Sequence, residues 1–183
     1  MSSRLPSTAD AVDGGTRWLG PTETDAWRAL AALVLRLPGT LDAQLQRDSG
    51  LTMFEYFVLS ELSMTPGRVL RMKDLAHLAN GSLSRLSNVV KRLEQRGWVR
   101  RRPDPQDGRY THAVLTDAGW DVVVRAAPGH VEAVRRHVVD VLTPEQLDQL
   151  REIATRITDR AEDIPAACLH AGPPACPQEE PPC

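Results

Sequence analysis

Apolar residues recur every three or four positions along most of the chain, a spacing that predicts amphipathic helices. The first helix has Thr22 as its expected N-cap, and Pro38-Gly39 is expected to kink or split it because proline lacks the backbone N–H. A second, shorter helix is predicted to open on a capping box formed by Thr52 and Glu55 and to end at Pro66-Gly67. The apolar positions of the first helix are Trp27, Leu30, Leu33, Val34, Leu37, Leu41 and Leu45.

Two further helices are predicted on either side of a tight turn. The first covers residues 72–79 and stops at Asn80-Gly81, a pair suited to a left-handed backbone conformation. The second covers residues 82–96 and ends at Gly97, a residue typical of helix C-termini. The positions expected to be buried are Leu75, Ala76 and Leu78 on the first helix and Leu83, Leu86, Val90 and Leu93 on the second. The other faces of the second helix are polar and basic.

The period of the pattern then changes from about 3.6 to 2, which predicts β-strands. Residues 98–102 and 110–115 carry β-branched or aromatic side chains at alternating places. The loop between them, PDPQDGR, is dense in Pro, Asp and Gly. This pattern predicts a β-hairpin with a basic tip.

Helical spacing resumes after Thr116 in two helices. The first is expected to be interrupted at Pro128-Gly129, and the second opens at residues 143–146 with a capping box that has proline at the first helical position. The apolar positions are Val122, Val123, Ala126, Val131, Val134 and Val138 on the first, and Leu147, Leu150, Ile153, Ile157 and Ala161 on the second. The predicted fold class is therefore mainly α with a small β-hairpin.

Composition places the chain among globular proteins, with 42% hydrophobic and 25% charged residues over 183 positions. No run approaches the roughly 18 apolar residues of a membrane span, and the first residues lack the apolar core of a secretory signal, so a cytoplasmic protein is expected. Residues 1–20 and 164–183 are expected to be disordered tails. All three cysteines, Cys168, Cys176 and Cys183, fall in the second tail, and their odd number argues against a disulfide framework.

Positive charge is concentrated in one stretch of an otherwise acidic chain. Residues 85–109 include eight basic and three acidic side chains, a balance of +5, whereas the whole chain carries −2. Two short helices joined by a glycine-containing turn, the second of them basic and polar, followed by a hairpin, are typical of a winged helix-turn-helix. The major groove of B-DNA is about 12 Å wide and accepts one α-helix, while a long arginine on the hairpin can enter the narrower minor groove.

Three motifs resemble the MarR-type transcriptional regulators. They are L-x-x-x-x-L-A at residues 70–76, S-x-S-x-x-S-x-x-V-x-x-L-E-x-x-G at 82–97 and R-x-x-D-x-x-D-x-R-x-x-x-x-x-L-T-x-x-G at 101–119. The last is the most specific, because an Asp-x-Arg wing followed at fixed spacing by Leu-Thr and a long helix goes beyond the common helix-turn-helix shape. The resemblance implies a MarR-like domain over residues 21–163, with the winged helix-turn-helix at about 52–116 and dimerisation helices at about 22–47 and 117–163.

The resemblance also implies partners: double-stranded DNA with a pseudo-palindromic operator, a second copy of the chain, and a small-molecule effector that releases a repressor. The wide apolar faces of the terminal helices agree with a homodimer, since one small winged domain could not cover them. A monomer that folds these helices on itself is the alternative. No membrane partner and no cofactor are expected.

The residues expected to contact DNA lie on the second helix of the motif and on the hairpin. Arg85 and Asn88 suit guanine and adenine edges, and Lys91 and Arg92 suit phosphates. Arg109 is expected to enter the minor groove, oriented by Asp107. The full set is Ser82, Ser84, Arg85, Ser87, Asn88, Lys91 and Arg92 on the recognition helix and Arg101, Asp107 and Arg109 on the wing.

The sequence also bears on two other classes of function. A winged-helix module that binds protein instead of DNA has the same fold. An enzyme is disfavoured because no nucleophile–base pair, glycine-rich phosphate loop or metal cluster stands out. His112, His130 and His137 have no short metal-ligand spacing and no accompanying cysteine, so no metal site is expected.

Overall fold

A computed structural model describes residues 16–105 and 107–162, and divides into one unit that ends at Ala133 and a second that begins at Val134. The predicted tails lie outside the described residues, except for residues 16–20, and so do the three cysteines. The elements are α1 (Pro21–Ser49), α2 (Met53–Met64), β1 (Val69–Arg71), α3 (Met72–Leu78), α4 (Leu83–Gln95), β2 (Val99–Pro103), β3 (Thr111–Leu115), α5 (Asp117–Val134) and α6 (Pro144–Glu162). The predicted fold class, mainly α with a small β wing, is confirmed.

Helix α1 begins two residues earlier than predicted and is not split. Gly20, and not Thr22, is its N-cap, and the Glu23 carboxylate accepts a hydrogen bond from the Gly20 N–H at 2.7 Å. The helix runs through Pro38, because Pro38 and Val34, whose carbonyl loses its donor, are both exposed and water can replace the missing bond. It ends at Gly50, which adopts a left-handed φ of 63°.

The predicted capping box of α2 is confirmed. The Thr52 hydroxyl accepts from the Glu55 N–H at 3.1 Å, and the Glu55 carboxylate accepts from the Thr52 N–H at 3.0 Å. A third orphan donor, the Met53 N–H, donates to the Asp42 carboxylate of α1 at 2.7 Å. The start of α2 is therefore tied to α1 by a bond that spans eleven residues.

The turn between α3 and α4 forms as predicted, but the leucines that flank it are exposed. Asn80 adopts φ 49°, and Gly81 approaches the Phe54 ring so closely that a Cβ would lie 2.6 Å from it. Leu78, at the end of α3, is 47% exposed and Leu83, at the start of α4, is 53% exposed, although both were predicted to be buried. Both lie at helix ends next to the turn, where the buried core does not extend.

A short strand that the hydrophobic pattern did not predict completes the sheet. β1 and β2 both pair antiparallel with β3, so that the order is β1-β3-β2. β1 has only three residues, too few for an alternating pattern to be recognised. The sheet places β2 and β3 as the wing, with Val99 opposite Leu115 and Pro103 opposite Thr111.

The junction between the wing and α5 explains the Leu-Thr-x-x-Gly motif. Leu115 is buried, and the Thr116 hydroxyl accepts from the Gly119 N–H at 3.0 Å while it lies 2.7 Å from the Gly97 carbonyl, to which it can donate. A Cβ on Gly119 would lie 2.2 Å from the Trp98 carbonyl oxygen. The motif therefore locks the end of the wing against the turn that follows α4.

Helix α5 continues through Pro128, so the predicted interruption there is wrong. Pro128 is exposed, and the helix buries Val122, Val123 and Ala126 against the core. In the first unit the largest fully buried side chains are Leu45, Leu51, Val58, Leu59, Leu62, Leu75, Leu86, Val90 and Leu93. This core holds α4 by one face only, which leaves its other faces on the surface.

The second unit opens with a π-helical turn, Arg135–Val139, followed by α6. The predicted capping box of α6 is confirmed: the Thr143 N–H donates to the Gln146 side chain at 2.9 Å, and the Gln146 N–H donates to the Thr143 hydroxyl at 3.3 Å. In the residues that the structure describes, no helix is long and apolar enough to cross a membrane.

His130 gives the first unit a dependence of stability on pH. Its ring lies 4.5 Å from the Tyr56 ring, and burial lowers the pKa of His130 below its ordinary value of 6.5. The unfolded chain therefore binds more protons than the folded chain below about pH 6.5, and stability is lost as the pH falls through that value. Thermal melts between pH 7.5 and 5.5 are expected to show a smaller decline for His130→Phe than for the parent.

The exposed His77 on α3 supplies the control for that measurement. His77→Gln removes an exposed side chain and leaves the buried His130 in place, so its melting temperature should follow the pH as steeply as that of the parent. A His130→Phe profile parallel to the parent profile would show that this histidine is not the group involved.

Candidate nucleic-acid interface

Helix α4 has one buried face and one polar face. Leu86, Val89, Val90 and Leu93 are buried, while Ser84, Asn88 and Lys91 project from the opposite side and are exposed. Ser82 is the N-cap of α4: its hydroxyl accepts from the Arg85 N–H at 3.2 Å and lies 3.1 Å from the Ser84 hydroxyl. The polar face is thus built from short side chains on a helix that is anchored from below.

One flank of α4 is held against α2. The Arg85 guanidinium lies 4.2 Å from the centre of the Phe54 ring, and the Arg92 Nε donates to the Glu55 carboxylate at 3.1 Å. Burial raises the pKa of Glu55, but hydrogen bonds from Thr52 and Arg92 outweigh that effect and hold the pKa below its usual value. Glu55 is therefore a carboxylate that caps α2 and pairs with α4 at the same time.

This pairing gives Arg92 a structural partner in addition to its predicted role. Its side chain is 52% exposed, whereas Glu55 is 7% exposed. The guanidinium has five N–H donors, so the pair with Glu55 leaves others directed at solvent. Arg92 fixes the position of α4 relative to α2 and keeps donors for a phosphate.

The other end of α4 is tied to the wing by Arg101. Its Nε donates to the Glu94 carboxylate at 2.8 Å, and its backbone N–H donates to the second oxygen of that carboxylate, also at 2.8 Å. Arg101 was predicted to contact DNA, and the structure gives its side chain a partner within the chain. Glu94 therefore fixes the Arg101 side chain between the end of α4 and the start of the wing.

At the tip of the wing, the predicted pair of Asp107 and Arg109 is formed. Arg109 donates from Nε to one carboxylate oxygen at 3.0 Å and from Nη2 to the other at 2.7 Å. This hydrogen bonding lowers the pKa of Asp107 and raises that of Arg109. The Arg109 side chain remains 85% exposed, so the wing presents a cation whose direction is set by its neighbour.

One acidic residue of the third motif, for which the sequence predicted no role, lies buried where β2 passes into the loop of the wing. Asp104 is 6% exposed and accepts from Arg71 of β1 at 2.8 Å, while His112 of β3 lies 3.4 Å away. Arg71 in turn stacks 4.7 Å from the Tyr110 ring centre. Asp104 therefore joins β1 to the hairpin, a contact across 33 residues that no local pattern could indicate.

Six of the ten predicted residues line one of two depressions on either side of α4, whereas Ser82, Ser84, Lys91 and Asp107 line neither. A cleft of about 290 Å³ between the start of α3, α4 and the wing is lined by Arg71, Met72, Lys73, Leu83, Ser87, Arg101, Arg109, Tyr110 and Thr111. A larger groove of about 1310 Å³ on the α2 side is lined by residues that include Arg85, Asn88 and Arg92 of α4 and Val34, Pro38, Met53, Phe54 and Phe57. The first is strongly cationic and the second is apolar with a cationic edge.

Comparison with known proteins agrees with this geometry. Residues 51–111 match the model of the MarR family. The structure is similar to that of Sco3205, a MarR family transcriptional regulator from Streptomyces coelicolor in complex with DNA, with 46% identity and a TM-score of 0.77 over 80% of this chain and 92% of that one. It is also similar to AbsC, a MarR family regulator from the same organism, with 40% identity and a TM-score of 0.78 over 81% of this chain and 100% of that one.

A curated relative matches over a shorter stretch. The HTH-type transcriptional regulator PecS of Dickeya dadantii is 38% identical over 77 residues, which is 40% of this chain and 44% of PecS. The chain spans about half the length of the curated relatives that it matches. The two Streptomyces structures extend the likeness beyond the winged helix-turn-helix to the flanking helices.

Proposed function

Because the chain belongs to the MarR family, we propose that it is a transcriptional regulator that binds double-stranded DNA sequence-specifically, as a homodimer on a pseudo-palindromic operator, and represses transcription there. The observation that carries the proposal is the arrangement of α4 and the wing: a polar helix face anchored on one side, next to an exposed arginine held by Asp107. Such a helix fits the major groove, and such an arginine fits the adjacent minor groove.

The proposed DNA contacts divide by chemistry. Ser84, Ser87 and Asn88 would reach base edges, and Arg85 would do so after it leaves the Phe54 ring. Lys91, the N-terminal backbone amides near Ser82 and the free donors of Arg92 would meet phosphates. Arg109 would enter the minor groove, with Asp107 and Arg101 as residues that position the wing.

The proposal of a homodimer is supported by exposed apolar side chains on the helices outside the winged domain. Such residues are exposed by about half or more on each of α1, α5 and α6, whereas a monomer would bury them or replace them with polar ones. They are Trp27, Leu33, Val34 and Leu35 on α1, Val124 and Val131 on α5, and Ile153 and Ile157 on α6. Two winged domains held in this way would meet successive major grooves about 34 Å apart.

The proposal of effector release is supported by the groove on the α2 side. Its apolar walls and its arginines suit a small apolar anion, which would fill part of the groove because its volume of about 1310 Å³ exceeds the roughly 300–1000 Å³ of typical ligand pockets. Arg85 and Asn88 belong both to this groove and to the polar face of α4. A ligand that binds the conformation with mis-spaced recognition helices would lower the affinity for DNA.

The experiment that tests the function is selection of genomic DNA fragments by the purified protein, followed by a salt titration on the retained sequence. Retention of a few inverted-repeat fragments is expected, with a sedimentation mass of two chains per site. Affinity should fall by about tenfold or more between 50 and 200 mM salt, since several counterions are released. If no fragment is enriched, or the binding is insensitive to salt, the protein-binding alternative is favoured.

A further inference from the structure

An apolar side chain stands at the tip of the polar helix. Leu83 is the first residue of α4 and is 53% exposed, while Leu86 in the same turn is fully buried. The residues on either side, Ser82 and Ser84, are short and polar. Leu83 therefore contributes little to the core, and its exposed surface would be buried only by a binding partner.

The position of Leu83 on α4 indicates what kind of partner could bury it. Residues four apart lie on one face, so Leu83 and Ser87 are neighbours, and both line the cationic cleft together with Arg109 of the wing. Arg85 and Arg92, by contrast, lie on the flank that faces α2. Leu83 thus lies at the edge of the proposed reading face, on the side of the wing, in the first turn that enters the groove.

The chemistry of the major groove limits which atoms of DNA the Leu83 side chain could contact favourably. The base edges there offer hydrogen-bond donors and acceptors and a single kind of apolar group, the C5 methyl of thymine. The isobutyl group of leucine makes no hydrogen bonds, so it gains only from contact with an apolar atom. Ser84, Ser87 and Asn88 beside it can serve the polar edges of the neighbouring pairs.

We propose that Leu83 is a specificity-determining residue that reads a thymine methyl group in each half-site. The inference rests on the proposed function, because it requires α4 to lie in the major groove. Leu83 thereby selects a thymine, or a 5-methylcytosine, at a position where the polar side chains of α4 make no distinction. A contact with deoxyribose, the other apolar surface nearby, is indifferent to sequence.

The test uses the duplex that the wild-type protein selects from a random library, synthesised with deoxyuridine in place of thymine at one position of each half-site at a time. The wild-type protein should lose about fourfold in affinity per half-site at one such position, the change expected for one buried methyl group. Leu83→Ala should bind the thymine and deoxyuridine duplexes equally at that position. A second pair of duplexes, with cytosine or 5-methylcytosine at that position, repeats the comparison with another base.

Several outcomes separate the inference from the function on which it rests. The inference is overturned if the wild-type protein shows no deoxyuridine penalty at any position, as a deoxyribose contact requires, or if Leu83→Ala keeps the full penalty. A wild-type protein that selects no sequence overturns the proposed function as well. Met64→Ala, which removes a 69% exposed apolar side chain at the far end of α2, is the control and should retain the penalty. Circular dichroism melts establish that both variants are folded, as expected for exposed helical positions.

Discussion

Replacement of Gly119 by alanine is expected to lower the melting temperature of the protein by several degrees, and at most by about 10 °C. The new Cβ would lie 2.2 Å from the Trp98 carbonyl oxygen and 2.7 Å from Leu115 Cδ1. The carbonyl belongs to the backbone and cannot turn away, so the wing and α5 must separate. Overpacking of this kind costs about 1–3 kcal/mol, more than the roughly 0.5–1 kcal/mol that alanine gains over glycine in a helix. About 2–4 °C per kcal/mol is expected for a chain of this size.

Gly108→Ala is the matched control. Gly108 is exposed, its φ is not positive, and nothing lies within 4 Å of a Cβ placed there. Its melting temperature should lie within about a degree of that of the parent. If Gly119→Ala melts with the control in a calorimeter, the close approach at Trp98 does not constrain the wing.

Loss of Arg109 is expected to weaken DNA binding by about 10- to 100-fold without unfolding the protein. The side chain is 85% exposed, so its removal leaves no cavity, whereas each dimer in the proposed complex would lose two cations from the minor groove. The slope of log affinity against log salt should become shallower by about two. Fluorescence anisotropy on the selected duplex at several salt concentrations measures both quantities.

Variants of Asp107 and Arg109 distinguish the effect of the arginine's charge from the effect of its orientation. Arg109→Lys keeps the charge but not the two-point contact with Asp107, so it should bind more weakly than the parent and more tightly than Arg109→Ala. Asp107→Ala removes a negative charge near DNA, yet weaker binding is expected because the arginine loses its orientation. Arg151→Ala removes the same positive charge as Arg109→Ala, but from the exposed surface of α6, and serves as the control. Tighter binding by Asp107→Ala would show that net charge, and not orientation, governs the wing.

Local patterns in the sequence identified most of the elements and of the candidate interface. The capping boxes at Thr52 and Thr143 and the turn at Asn80-Gly81 form as predicted, because each depends on hydrogen bonds and dihedral angles within about four residues. The pair of Asp107 and Arg109 was foreseen for the same reason, since two residues on one turn can meet without any other part of the chain.

The errors lie where the environment of a residue is set by distant parts of the chain. Leu78 and Leu83 have the spacing of core positions, but the packed layer does not extend to the helix ends where they lie. Pro38 and Pro128 carry the signal of a helix break, but each is on an exposed side where solvent can serve the unpaired carbonyl.

Periodicity, capping residues and charge were enough to establish the helices, the hairpin and the basic stretch between residues 85 and 109, since all of these are properties of neighbours along the chain. Folding settled which charged side chains in that stretch gain a partner from a distant part of the chain. Arg92 pairs with a carboxylate 37 residues away, and Asp104 pairs with Arg71, 33 residues away, whereas Arg109 pairs with its neighbour Asp107 and stays exposed. Such pairs depend on where the backbone brings distant side chains together, and a linear pattern of residue types carries no record of that path.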